Sequence, residues 1–300
     1  MRVNPNMVPD ILADLQQSQA TLNIDLQEVS TGKSVNVPSD NPIASAEMVQ
    51  NSIETADVDQ YTQNVTSVLS TVQSASSVLS SVVTSLTQAV SLGTEGANGT
   101  NSPANMSTLA QQVQNILTSV VSDANTSFGG TYLFGGTAST AAPYAADSTA
   151  ASGYTYNGNN DSNSVEIGDN LSVQANLPGS QLFSNSSNSV LGALSSLVSA
   201  LQSGNSSQIS TATSAVSSAI NYLSGQQGFY SNAESQLNSQ ETNLQQDTVT
   251  LTTQQTNLIG VDEATAATEL SQAETDNSAA LAAAAKVLPN TLLNYLTTPT

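Results

Sequence analysis

The sequence contains no cysteine, no histidine and no tryptophan. Without cysteine the chain has no disulfide, no thiolate nucleophile and no cysteine-based zinc site. Without histidine it has no conventional Ser-His-Asp triad, and it lacks the side chain that usually changes charge between about pH 5 and 8. These absences exclude most familiar arrangements for nucleophilic catalysis.

Basic residues are nearly absent. The chain has 23 acidic residues against three basic ones, Arg2, Lys33 and Lys286, and a formal net charge of -20. A surface without a basic patch opposes binding to nucleic acid and to anionic lipid. The N-terminus lacks the continuous apolar core of a signal peptide, and no stretch has the length and apolarity expected of a membrane span. We therefore expect no nucleic-acid partner, no membrane insertion and, for an exported protein, a route without a cleaved signal.

Aromatic and charged residues are also scarce, at 4% and 9% of the chain. Apolar residues make up 38%, so the cores are expected to be slender and built from Val, Leu, Ile and Ala. That composition favours packing of helix on helix over a bulky enzyme core.

Heptad repeats are the strongest pattern that is present. One stripe is Val65, Val72, Leu79 and Leu86, each followed after three residues by Val68, Ala75, Val82 and Ala89; a second is Leu237, Leu244, Leu251 and Leu258. A seam of this kind needs a partner helix, so assembly is the first functional hypothesis. The second stripe has polar residues at its alternate positions, Gln240, Asp247 and Gln254, which favours packing within one subunit.

The N-terminal half is predicted to be three helices. The first runs from Asn6 to Ser30 and ends at the glycine of Thr31-Gly32. The second begins near Pro42, with Ser39 or Asp40 as its cap, and fades at Gly93. A third helix opens at Ser102-Pro103.

Around Phe128 the periodicity changes to that of strands and turns. Residues 131–134 indicate a short strand, and three further alternating segments lie at residues 154–156, 164–167 and 171–175.

Helical periodicity returns near Ser189. It predicts a break at Gly204-Asn205, a helix that ends at Gly225, and a last long stretch from Phe229 that Gly260 and Asp262 interrupt. Pro289 is expected to kink or restart the terminal helix.

These elements predict a mainly α fold: a long antiparallel helical bundle or coiled coil from the N- and C-terminal segments, with a small β-rich insertion in the middle of the chain. We expect three domains. Residues 1–42 and 262–300 would form a terminal helical assembly domain. Residues 43–137 and 184–261 would form a helical bundle domain with a short β-hairpin, and residues 138–183 would form the β-rich insertion domain.

Several motifs resemble a known family. Ser30-Thr31-Gly32-Lys33 is followed by Pro38-Ser39-Asp40-Asn41-Pro42, a mid-chain segment reads Gly130-Thr131-Tyr132-Leu133-Phe134-Gly135-Gly136, and the C-terminal segment includes Thr291-Leu292-Leu293-Asn294-Tyr295-Leu296. In this order and spacing they are similar to the signatures of the flagellin superfamily. The Pro-Ser-Asp-Asn-Pro version and the Tyr-Leu ending look more like its hook-associated members than like flagellin itself.

The resemblance implies a structural protein of the bacterial flagellum, without catalytic activity, that polymerises through its terminal helices. It implies hook-associated protein 1, flagellin and a flagellar export chaperone as partners, together with self-association into a ring or helical turn. It also implies an extracellular location, reached through the flagellar type III export channel. Terminal helices without a core of their own should stay mobile before assembly, up to about residue 40 and beyond about residue 265.

The predicted sites are therefore assembly surfaces. The expected interface residues are Leu12, Leu15, Leu22, Leu26, Val29, Leu281, Leu288, Leu292, Leu293, Tyr295 and Leu296. The resemblance adds a family-motif loop of Thr31, Gly32, Lys33, Pro38, Ser39, Asp40 and Pro42.

No catalytic residue, cofactor or metal site is predicted. Asn159, Asp161, Asn163 and Glu166 have a spacing faintly like that of a calcium loop, but the glycine and acidic ligand positions do not match, so we interpret them as a turn. Two other functions remain open from the residues: a divergent flagellin, and an extracellular adhesin or hydrolase with helical ends.

Overall fold

A computed structural model describes the backbone of residues 7–296 and the side chains of residues 9–286. Seven helices and six short strands follow one another in the described residues: α1 (Met7–Thr31), α2 (Pro42–Ala97), α3 (Pro103–Ala124), β1 (Ser127–Phe128), β2 (Thr131–Tyr132), β3 (Tyr144–Ala146), β4 (Tyr154–Tyr156), β5 (Ser164–Gly168), β6 (Leu171–Gln174), α4 (Gly179–Leu182), α5 (Val190–Ser203), α6 (Ser206–Ile259) and α7 (Glu263–Leu296). The fold is mainly α with a small β region in the middle of the chain, as predicted.

The described residues form two compact units. Unit 1 comprises residues 7–57 and 246–296, and unit 2 comprises residues 58–245. Helices α2 and α6 contribute residues to both. The three-domain division stays a prediction.

Unit 2 contains the hydrophobic core, which draws on α2, α3, α5, α6 and the β region. The first heptad stripe is buried along its whole length; Val65, Val72 and Leu79 are each 0% exposed. Leu237 and Leu244 of the second stripe belong to the same core, which agrees with packing inside one subunit.

The β region consists of three separate antiparallel hairpins, β1–β2, β3–β4 and β5–β6. Aromatic side chains join it to the core: the rings of Phe134 and Phe183 meet edge to face with centroids 5.3 Å apart. The Tyr144 hydroxyl donates a hydrogen bond of 2.7 Å to the carbonyl oxygen of Gly179.

Two glycines, Gly93 and Gly225, do not end helices where the sequence predicts. Gly93 lies inside α2, and a Cβ there would collide with Thr213 and crowd Leu197, so the glycine allows helices to approach closely. Gly96, also inside α2, similarly makes room for Leu201. Gly225 lies inside α6, between the buried Leu223 and Tyr230. At Gly93 and Gly96, close packing outweighs the helix penalty of about 1 kcal/mol for a glycine.

Two further details differ from expectation. The cap of α2 is Asn41, whose side-chain oxygen accepts a hydrogen bond of 3.1 Å from the backbone N–H of Ala44, and not Ser39 or Asp40. The backbone of α7 continues past Pro289 to Leu296 and does not restart there.

By length and composition alone, helix α2 is long and apolar enough to cross a membrane. The prediction that no stretch has the length and apolarity of a membrane span is therefore wrong. Its most apolar window has a mean hydropathy of 1.2 and is 28% buried. The heptad stripe that unit 2 buries supplies much of this apolarity, and uncharged Ser and Thr replace the charges that would normally lower it.

Candidate assembly interface

Large apolar side chains that stay exposed are concentrated in unit 1. They are Leu12, Ile24, Leu26, Val29, Val37, Ile43, Val49, Ile53, Val249 and Leu281, whereas unit 2 exposes Phe128 and Leu171. By contrast, the apolar side chains that unit 1 buries are mostly alanines: Ala44, Ala266, Ala273 and Ala284, with Leu251 and Ile259. Unit 1 therefore presents an apolar surface much larger than its own core requires.

Helix α1 shows this imbalance on a single element. It packs against α7, with Leu15 and Leu22 half-buried on the packed side. Leu12, Leu26 and Val29 remain 52%, 45% and 43% exposed. The five predicted interface residues of α1 thus divide between the α7 contact and the open surface.

The facing side of α7 is made mostly of small residues, with the half-buried Leu270 between the first two of its buried alanines. Ala266, Ala273 and Ala284 are buried at positions that recur at helical spacing, and Leu281 is 47% exposed. A seam of alanines buries little apolar area, so the α1–α7 pair gains little free energy from its own contact. The predicted residues Leu288, Leu292, Leu293, Tyr295 and Leu296 lie outside the residues whose side chains are described.

The α1–α7 seam also contains unsatisfied polar atoms. Ser18 Oγ and Asn277 Oδ1 are buried without a hydrogen-bond partner in the described part of the chain. Burying a polar group unpaired costs about 1–3 kcal/mol. These atoms weaken the pair further.

Carboxylates gather where α1 ends and α7 begins. Partial burial raises the pKa of the Glu28 carboxyl, and the negative charges of Asp25, Glu269 and Asp40 raise it further. This end of the helix pair is therefore under electrostatic repulsion at neutral pH.

The family-motif loop connects α1 to α2 and is held by hydrogen bonds. Gly32 adopts a left-handed φ of +67°, and its N–H donates to the carbonyl oxygen of Glu28 at 2.8 Å, which ends α1. Thr31 Oγ1 bonds to Asn36 Oδ1 at 2.9 Å. Asp40 Oδ2 accepts hydrogen bonds from the backbone N–H groups of Asn36 at 3.1 Å and Val37 at 3.0 Å.

The same loop is fastened to the segment between α6 and α7. The Ser34 backbone N–H donates to the carbonyl oxygen of Ile259 at 2.7 Å, and the Val261 N–H donates to that of Gly32 at 3.2 Å. Lys33 and Gly260 form an antiparallel bridge. The loop is thus folded within unit 1, while Lys33, Pro38, Ser39 and Pro42 stay exposed.

Sequence reasoning missed one exposed surface, on the first part of α2. Ile43, Val49 and Ile53 are 74%, 62% and 52% exposed. The opposite side of this segment packs on α6 through the buried Asn51, whose Nδ2 donates to the carbonyl oxygen of Leu251 at 3.0 Å. The signal was a second apolar stripe on the same helix, which the longer heptad further along α2 obscured.

Nothing in the described residues indicates a catalytic or metal centre. They contain no group of three or more His, Cys, Asp or Glu side chains placed to hold a metal ion. Asn159 instead organises a turn, because its side-chain oxygen accepts a hydrogen bond of 2.7 Å from the Thr137 N–H.

Two family models match the chain. The bacterial flagellin N-terminal helical region matches residues 3–139, and the bacterial flagellin C-terminal helical region matches residues 213–296. No curated protein matches the sequence.

Solved structures of similar fold come from several bacteria. A candidate flagellar hook-associated protein from Vibrio parahaemolyticus has a TM-score of 0.68 and 19% identity, covering 74% of this chain and 100% of that one. Hook-associated protein 3 from Legionella pneumophila has a TM-score of 0.62 and 14% identity, covering 71% and 98%. FlgL from Bacillus cereus has a TM-score of 0.60 and 20% identity, covering 69% and 99%.

The likeness to these structures is one of fold, and the family models extend over most of the sequence at both ends. The chain belongs to the bacterial flagellin family.

Proposed function

We propose that this chain is the junction protein between the flagellar hook region and the filament, of the hook-associated protein 3 type. It would link hook-associated protein 1 to flagellin and polymerise into a ring or helical turn through unit 1. The family is one of structural, non-enzymatic flagellar proteins, and two relatives of similar fold are described as FlgL or hook-associated protein 3.

The main support for this proposal is the surplus of exposed apolar side chains in unit 1. A subunit that stayed monomeric would gain nothing from exposing Leu12, Leu26 and Val29 beside a seam of alanines. Identical subunits that meet through unlike surfaces build rings or helices. Coverage by tube neighbours would give these side chains the apolar contact that α7 does not provide.

Two finer proposals follow from membership of the family. The chain would leave the cell through the flagellar type III export channel, without a cleaved signal, and act outside the cell. A flagellar export chaperone would cover its terminal helices until assembly. Both accord with exposed apolar helices, which would otherwise promote premature association.

The defining experiment combines this chain with hook-associated protein 1 and flagellin and follows filament growth. We expect growth only when all three are present. Filaments formed by this chain alone would support the alternative of a divergent flagellin. Growth that is unaffected by omitting the chain would refute the junction role.

Paired surface variants locate the assembly surface. Leu26→Asp should leave the circular dichroism spectrum unchanged and block incorporation, because Leu26 is 45% exposed in unit 1. Leu171→Asp is the matched control, since Leu171 is 37% exposed in unit 2 and should still be incorporated. Equal incorporation of the two variants would contradict the assignment of assembly to unit 1.

A further inference from the structure

Lys33 occupies an exceptional electrostatic position. Each copy has a net charge of -20 and only three basic residues, so copies repel one another. Arg2 lies outside the described residues, and Lys286 has an interaction within the chain. Among the residues that the structure describes, the exposed Lys33 ammonium has no carboxylate partner. It is a cation available to a neighbour.

A groove of mixed polarity lies beside Lys33. It has a volume of about 550 Å³, and its lining comprises the apolar Val35, Val37, Pro38, Met48 and Ile259, the polar Thr31, Asn36 and Ser45, and Lys33 itself. The hydrogen bonds of Asp40 and Ser34 hold the loop that forms it. A preformed groove lowers the entropic cost of receiving a side chain.

The complementary feature lies on the first part of α2. Ile43, Ala46, Ile53 and Asp57 recur at intervals of three, seven and four residues, so they share one side of the helix. Val49 lies at the edge of that side, and Ile43, Val49 and Ile53 are among the most exposed apolar residues of the described chain. Ala46 and Asp57 are exposed on the same side. This side therefore combines apolar side chains with the negative charge of Asp57, and the exposed Glu47 and Glu54 lie along its other edge.

We propose that the groove beside Lys33 receives the Ile53–Asp57 side of α2 from a second copy of this chain. Ile53 enters the groove, and the Asp57 carboxylate pairs with the Lys33 ammonium. The contact joins two different surfaces, so it repeats from copy to copy and is of the kind that builds a ring or helix. The inference rests on the proposed function and names a contact through which copies would meet.

Charge and apolarity together favour a second copy as the occupant of the groove. A second copy carries an excess of carboxylates. Because Lys33 is a single cation, pairing with it favours one relative position of the two copies over others. The exposed apolar side supplies the area that one surface ion pair, worth little alone, cannot supply. A groove occupied by another flagellar protein is the competing outcome.

Cysteine crosslinking tests the contact, because the chain has no cysteine of its own. A full-length chain with Lys33→Cys is mixed with a size-tagged full-length chain with Asp57→Cys, and the mixture is oxidised. The control partner carries Asp59→Cys, which is exposed on the opposite side of α2. We expect several-fold more mixed disulfide dimer with Asp57→Cys than with Asp59→Cys. Equal yields, or no mixed dimer, would overturn the proposal.

Charge reversal provides a second test on the same chain. Lys33→Glu should raise the concentration needed for self-association about threefold to tenfold, and Lys33→Glu combined with Asp57→Lys should restore it. Lys33→Glu with Asp59→Lys has the same net charge and should not. If both double variants restored self-association, the effect would be one of general charge, and the specific Lys33–Asp57 pair would be rejected.

The two proposals fail in distinguishable ways. Selective crosslinking by a chain that does not support filament growth on hook-associated protein 1 would refute the junction role and keep this contact. Normal filament growth by the Lys33→Glu chain, together with no selective crosslink between the Lys33→Cys and Asp57→Cys chains, would refute only the contact.

Discussion

Unit 1 and unit 2 are built from similar amphipathic helices but differ in how much of their apolar surface they bury. Unit 2 buries long heptad stripes of Val and Leu and exposes few large apolar side chains. Unit 1 buries mainly alanines, leaves polar atoms of Ser18 and Asn277 unsatisfied, and exposes its larger apolar side chains. Amphipathic helices therefore do not by themselves indicate a stable domain; the side chains on the facing helix determine how much free energy the contact provides.

Amide exchange in the free chain should show the largest contrast. We expect protection in α5, which is rich in fully buried leucines, to exceed that in α1 by about a hundredfold or more, because local opening of α1 exposes little buried apolar area. Hydrogen exchange measured by mass spectrometry would resolve the two helices. Comparable protection before assembly would contradict the distinction between the units.

Truncating a core side chain of unit 2 should have the next largest effect. Leu79 is 0% exposed, so Leu79→Ala should lower the free energy of unfolding by about 2–5 kcal/mol. Ile53→Ala, at a site that is 52% exposed, should change it by less than about 0.5 kcal/mol. Urea unfolding followed by circular dichroism measures both, and equal losses would break the comparison.

A buried polar contact in unit 1 should have a smaller effect. Asn51 is 5% exposed, and its side chain donates to Leu251 on α6. Asn51→Ala should destabilise the α2–α6 contact of unit 1 by about 0.5–1.5 kcal/mol, measured as faster amide exchange in residues 246–257. Gln50→Ala is the control, because Gln50 is exposed and bonds only to Glu54 of its own helix in the described structure. Equally faster exchange in that control would show that the buried contact of Asn51 is not responsible.

The pH dependence of the α1–α7 pair should be the smallest effect. The pKa of Glu28 is raised above its usual 4.5 in the folded chain, so its contribution to stability is fully present below that value and is lost as the pH rises through the raised pKa. Ionised Glu28 should therefore lower the resistance of unit 1 to thermal unfolding at neutral pH.

Glu28→Gln separates this group from the other carboxylates, and its difference from the native chain should grow as the pH rises from about 4 to 6. A constant difference across that range would show that Glu28 does not feel Asp25, Glu269 and Asp40.

Much of the fold was predictable because it depends on local signals. Gly32 ends α1, Pro103 begins α3 and Asp262 caps α7 through the Ala264 N–H at 2.9 Å, and each signal acts within one helical turn. Gly93 and Gly225 were misinterpreted as helix ends. At Gly93 the close approach of Thr213, which is distant in sequence, is what a local signal cannot reveal.

The candidate interface was predictable only in part. The sequence identified Leu12, Leu26 and Val29 as apolar, and the structure showed that α7 leaves them exposed. The Ile43–Asp57 surface was missed, since a helix with two apolar sides is recognised only when the partner of one side is known.

The order of side chains along this chain was enough to establish most helices, the end of α1 and the start of α3, the family and the absence of cysteine and histidine chemistry. It could not establish which apolar stripe is covered, because coverage depends on the residues that distant segments bring to the same place. Alanines opposite α1 and leucines in unit 2 make that difference, and it is what separates an exposed apolar surface from a core.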